Sequence, residues 1–137
     1  MGAKLGLNAK AYYGTAGSSA TTEITNIKDV TLNLEKGEAD VTTRGGNGWR
    51  QTLATLKEGS IEFEMVWDPD DGAFGAVKDA YFNDTLIAMK FLDEAGGEGL
   101  DADFTVTNLT RNEALEEAIT ASVTVKIAYS DRAPSWV

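Results

Sequence analysis

The stretch Ser60-Ile61-Glu62-Phe63-Glu64-Met65-Val66 alternates polar and apolar residues, and that period of two decides the fold. Successive side chains of a strand point to opposite faces, so Ile61, Phe63 and Met65 share one face and Glu62 and Glu64 the other. Working outward, Val30, Leu32 and Leu34 repeat the pattern against Thr31, Asn33 and Glu35. Near the end of the chain Ile119, Ala121, Val123, Val125, Ile127 and Tyr129 alternate with Thr120, Ser122, Thr124 and Lys126, and the segment from Asp101 through Asp103 to Thr107 does the same. Such alternation belongs to sheets with one face on a core. Shorter strands are expected at Leu7 to Tyr13, Ala39 to Thr43, Arg50 to Thr55 and Leu86 to Leu92. The expectation is a mainly β chain, a two-sheet β-sandwich or partial barrel of about eight strands with one flanking α-helix.

The helix is read from Asp68-Pro69-Asp70-Asp71. Asp68 is expected as cap, Pro69 at the first helical position, with two acids facing the positive end of the helix. Phe74, Val77 and Tyr81 follow as an apolar stripe to lie on the sheet, and Asn83 and Asp84 close the helix. A calcium loop starting at Asp68 is the competing reading. It lacks a third alternating oxygen ligand, and Asp79 stands where a bidentate Glu belongs.

Composition narrows the function. A length of 137 residues fits a single domain, residues 1–137, able to bury a core. No apolar run approaches the length of a membrane span, and the opening residues lack the basic-then-apolar order of a signal peptide, so no membrane role is expected. The sequons at Asn83 and Asn108 then read as accidents. Without cysteine or histidine there is no disulfide, no thiol nucleophile, and neither the commonest metal ligand nor the commonest general base. Carboxylate pairs remain: Glu62 with Glu64, and Asp101 with Asp103. A glycosidase acid needs burial to raise its pKa. The alternation that buries Ile61 and Phe63 exposes their acidic neighbours, so a solvated acidic face is expected, with no catalytic site, cofactor or metal.

Two glycine-rich stretches interrupt the pattern. Arg44-Gly45-Gly46-Asn47-Gly48-Trp49-Arg50 has neither a Gly-Lys-Ser/Thr ending nor dinucleotide spacing, and reads as a connection between strands. Glu94-Ala95-Gly96-Gly97-Glu98-Gly99 reads as a turn. The net charge of −10 repels nucleic acid; it serves solubility, or a surface that stays near DNA without binding it.

Several stretches together resemble the major tail tube proteins of long-tailed bacteriophages: Val30 to Arg44 with its continuation Gly48-Trp49-Arg50, Leu56 to Phe63 followed by a helix, and the closing hairpin from Arg111 to Tyr129. The resemblance runs from about Leu5 to Asp131, carried by element order and by the segment Val30 to Phe63. It implies a flattened β-sandwich with a flanking helix, assembled as six-membered rings that stack into a genome conduit. It implies that the segment Thr42 to Arg50, with Arg44, Gly45, Gly46, Asn47, Gly48, Trp49 and Arg50, reaches a neighbouring ring. The inner sheets would join into one barrel with an acidic lumen, for which Glu62, Glu64, Asp101 and Asp103 are the candidate acids. Expected partners are further copies of the chain, a tape-measure protein and tail completion proteins, with double-stranded DNA passing unbound. The expected location is the virion tail, assembled in the bacterial host cytoplasm.

Size agrees with a conduit built from several copies. A domain of this length is ~35–40 Å across, too small to enclose duplex DNA. A barrel of about 40 Å diameter needs on the order of 20–26 strands, which six copies giving four each would supply. The inner tube of a contractile injection or type VI-like secretion system is the nearest alternative. A monomeric carbohydrate-binding β-sandwich, using Trp49, Trp67 and Trp136 as a platform, is a second.

Overall fold

The alternation around Phe63 lies within a strand far longer than its seven quoted residues. In the computed structural model, which describes residues 2–137, strand β4 runs Thr52–Val66 and pairs antiparallel with β3, Ile27–Asp40. Four expected segments, Val30 to Glu35, Ala39 to Thr43, Arg50 to Thr55 and Ser60 to Val66, thus fuse into one long hairpin. The charged residues between them break the alternation without breaking the ladder, because an irregularity between Lys36 and Glu38 absorbs the mismatch.

The remaining strands are β1 (Lys10–Thr15), β2 (Thr22–Glu23), β5 (Ile87–Leu92), β6 (Gly99–Asn112), β7 (Thr120–Ile127) and β8 (Ser135–Trp136). The first strand begins later than the expected Leu7, since Gly6–Asn8 forms a single 3-10 turn. All eight strands belong to one antiparallel sheet in the order β2-β1-β5-β6-β7-β4-β3, with β8 added beside β6. The partial-barrel form of the expectation is the one the chain adopts. β6 makes the bend: as far as Phe104 it pairs with β5, and from Phe104 onward it pairs with β7. Two sheet halves therefore share one strand and curl face to face.

The core fills the curl. Ile61, Phe63 and Met65 of β4 meet Ala121, Val123 and Val125 of β7, and across the fold Met89 and Phe91 of β5. Phe63 and Phe91 lie 5.9 Å apart between ring centroids, and Phe91 meets Phe104 edge-on at 6.3 Å. Helix α1, Gly72–Phe82, packs over β5 and β6 with Ala73, Phe74, Val77 and Ala80 inward. Trp67 stacks on Phe74 at 4.6 Å.

Three sequence expectations need correction here. The helix cap is Asp71, whose Oδ2 accepts from the Phe74 amide at 3.0 Å. Asp68 instead closes the preceding turn, accepting the Asp70 amide on Oδ1 and the Asp71 amide on its carbonyl, so Pro69 lies before the helix. The inward stripe also omits Tyr81, which is 40% exposed: small Ala73 and Ala80 rotate the buried face away from it. Finally, Leu34 is 54% exposed and Val30 is exposed, because β3 is the last strand of the sheet and no layer covers its far end; Tyr129 is exposed because β7 ends at Ile127.

Candidate assembly surfaces

The half of the sheet formed by the later part of β6 with β7, β4 and β3 has one apolar and one polar face. Cross-strand register places Thr31 opposite Glu62, Asn33 opposite Ser60, Glu62 beside Thr124 and Glu64 beside Ser122. Asn108 and Thr110 of β6 continue the polar face next to Thr124 and Ser122. Thr110 donates to Asn108 Oδ1 at 2.8 Å, and Asn112 donates to Ser122 Oγ at 3.3 Å. Glu62 is exposed on this wall, and Glu64 is half-buried beside Lys28 Nζ at 3.5 Å. Glu35 and Glu58, directly paired across the strands, add two more carboxylates to the same face. Both edges of this wall are unpaired: β3 bonds only to β4, and β6 beyond Phe104 bonds only to β7.

Beyond Ser60 and Lys126 the wall narrows, since β7 ends and β3 with β4 continue as a two-stranded ribbon. Lys36 faces Lys57 directly across it, a like-charge pair with no counter-ion among the described residues. A free two-stranded ribbon is marginal in water. Its tip holds the expected loop in a defined turn. The Thr43 carbonyl accepts from the Gly46 amide and the Gly46 carbonyl from the Trp49 amide, each at 3.1 Å. Asn47 (φ 56°) and Gly48 (φ 88°) occupy the left-handed region that reverses the chain. Gly45 lies in the turn's first half, while Arg44 and Arg50 are exposed and Trp49 is 75% exposed.

Asp101 and Asp103 do not join the polar wall. They sit in the first half of β6, and Asp103 is only 1% exposed. The segment after β7 crosses over them and brings Arg132, whose Nη1 donates to Asp101 Oδ1 at 2.9 Å and whose Nη2 donates to Asp103 Oδ1 at 2.8 Å. Ser130 Oγ and the Gly17 amide donate to Asp103 Oδ2, and Ser19 Oγ donates to Asp101 Oδ2. Burial by itself pushes the Asp103 carboxyl up. The hydrogen bonds from Ser130, Arg132 and Gly17, with the guanidinium charge, outweigh it and hold the carboxyl below its usual range. Arg132 is correspondingly held protonated: burial opposes its charge, and the two aspartates more than compensate. The candidate lumen acids thus divide, with Glu62 and Glu64 on the open wall and Asp101 and Asp103 in an internal clamp.

The three tryptophans form no platform. Trp49 is at the ribbon tip, Trp67 lies between Phe74 and the Arg111 guanidinium (4.9 Å from its ring), and Trp136 bonds Glu98 from β8.

A family model described as "Phage tail tube protein" matches residues 12–129, from β1 through the end of β7. The chain belongs to the phage tail tube protein family. Solved structures share the fold. The tail of an empty gene transfer agent (GTA) particle, refined with C6 symmetry, superposes with a TM-score of 0.81 at 16% identity, covering 98% of this chain and 99% of that one. The SPP1 tail tube follows with a TM-score of 0.70 at 14% identity, covering 91% and 76%. The sheath-tube complex of an extracellular contractile injection system gives 0.58 at 11% identity, covering 95% and 89%. No curated protein matches at the sequence level.

Sequence reasoning missed the clamp in this tail tube protein because its cation lies 29 and 31 residues from its two carboxylates, and no local pattern links them. It named the closing hairpin between β6 and β7 but gave its turn no site role. There Glu113, Leu115, Glu116 and Glu117 are all exposed, and the Glu117 amide donates to the Ala114 carbonyl at 3.2 Å. The signal was present in the unbroken run Glu113-Ala-Leu115-Glu116-Glu117, three acids around one leucine.

Proposed function

We propose that the chain is the non-catalytic subunit of a tail tube, assembling as hexameric rings that stack around a DNA conduit. The observation that carries this reading is the four-stranded wall with one polar face and two unpaired edges. An exposed edge is a template for another strand. When β3 of one copy meets the later half of β6 of the next, the wall continues and every subunit adds four strands. Six copies then fall within the roughly 20–26 strands that a DNA-wide barrel requires. The apolar face of each wall is already committed to its own core, so the polar face lines the lumen and carries Glu62 and Glu64 into it. An anionic lining lets anionic DNA slide without adhering.

A tape-measure protein would occupy the lumen before DNA, and completion proteins would close the tube ends in a virion tail assembled in the host cytoplasm. The inner tube of an injection system shares the fold, but the family match supports the phage-type tube.

Electron microscopy of the purified protein at increasing concentration tests the reading. Six-fold rings and tubes with an open lumen are expected. A chain that remains monomeric throughout, or forms closed assemblies without a channel, would overturn it.

A further inference from the structure

The two ends of β4 carry opposite chemistry. At its start, the ribbon tip from Val41 to Leu53 contains Arg44 and Arg50 and no acidic residue, in a chain whose net charge is −10. Both arginines are exposed, and neither makes an ion pair among the described residues. Trp49 stands between them with most of its surface in solvent. At the other end, Val66 pairs with Thr120 and the Trp67 amide donates to the Ile119 carbonyl at 2.8 Å, which fixes the turn from Ala114 to Glu117 beside the end of β4. That turn presents Glu116 and Glu117, likewise without ion-pair partners, around Leu115, which is 100% exposed. Glu113 is already engaged by Arg111 at 3.2 Å.

The separation excludes an internal contact. The fifteen residues of β4 span about 45–50 Å at the usual rise per residue, so tip and turn of one copy point away from each other. Two complementary patches at opposite ends of the subunit make a head-to-tail contact, which extends as an open stack where its rotation does not close a ring.

The geometry points to the Ala114–Glu117 turn as the receptor for the ribbon tip of a second copy of this chain. Arg44 and Arg50 of one subunit face Glu116 and Glu117 of the next along the axis, and Trp49 covers Leu115. The contact rests on the tube reading and gives it a residue-level stacking code. It also explains why a bare leucine and a bare tryptophan are tolerated on the surface: each is covered once rings stack.

Charge exchange tests it in the intact chain, with tube length and ring content read by electron microscopy and sedimentation. Arg44→Glu with Arg50→Glu makes both patches acidic; Glu116→Arg with Glu117→Arg makes both basic. All four side chains are exposed, so thermal unfolding of either variant should match that of the unsubstituted chain. Each pair is expected to shorten tubes about tenfold or more, leaving mostly rings, and the four substitutions combined should restore long tubes. Normal tubes from either two-site variant, or failure of the combined exchange to restore them, would overturn the contact while the tube reading stands. An unsubstituted chain that forms no tubes overturns both.

Discussion

Arg132 holds Asp103 with two nitrogens on one oxygen, Nε at 3.1 Å and Nη2 at 2.8 Å from Oδ1. The pair pins the segment after β7 across the first half of β6, where β8 then pairs with Leu100 and Asp101. Its stability contribution depends on pH in a definite direction. The folded-state value of Asp103 lies below its unfolded value, so the contribution is complete above the ordinary carboxylate range of about pH 4 and is lost as pH falls through the lowered folded value. Asp103→Asn should cost about 1–3 kcal/mol at neutral pH, because Asp101 still neutralises Arg132 while Nε and Nη2 lose their charged acceptor. Chemical denaturation at several pH values checks this: the gap between the two proteins should narrow in acid, and a gap that stays constant would exclude the linkage.

Asp71→Ala should cost about 1 kcal/mol by removing the acceptor for the Phe74 amide. Asp68→Ala loses only an exposed turn contact and should cost clearly less. Paired denaturant melts decide it, and equal losses would return the cap to Asp68.

Phe63→Ala should destabilise the fold by about 3–5 kcal/mol, because the ring joins the two sheet halves against Phe91. A measured loss below about 1 kcal/mol would be inconsistent with that packing. Leu34→Ala, on the uncovered end of β3, should cost the isolated chain much less.

Replacing Glu62 and Glu64 with Lys should leave assembly intact but slow DNA ejection, most severely at low salt, where attraction between lysine and phosphate is least screened. Particles carrying both substitutions and ejecting at the unsubstituted rate in low salt would remove these residues from the lumen. Charge reversal at Asp101 and Asp103 should instead prevent folding, since both lie in the clamp.

How far the sequence reached can be seen at single residues. The alternation through Phe63 determined the strand, its buried face and the outward direction of Glu62 and Glu64, because side-chain direction in a strand follows from position alone. The acidic residues before Phe74 determined that a helix begins there, since free amides at a helix start need an acceptor. The same alternation placed Asp101 and Asp103 off the apolar face, and that also holds. What alternation does not contain is whether a second layer covers that face. For Glu62 none does within the subunit; for Asp103 the segment carrying Ser130 and Arg132 folds back over it. Likewise Lys36 and Lys57 look like breaks between strands in sequence, and only pairing across the sheet makes them neighbours in one ribbon. Local periodicity fixes direction along the chain, whereas burial and charge partnership depend on residues tens of positions away. Only the tertiary structure brings those together.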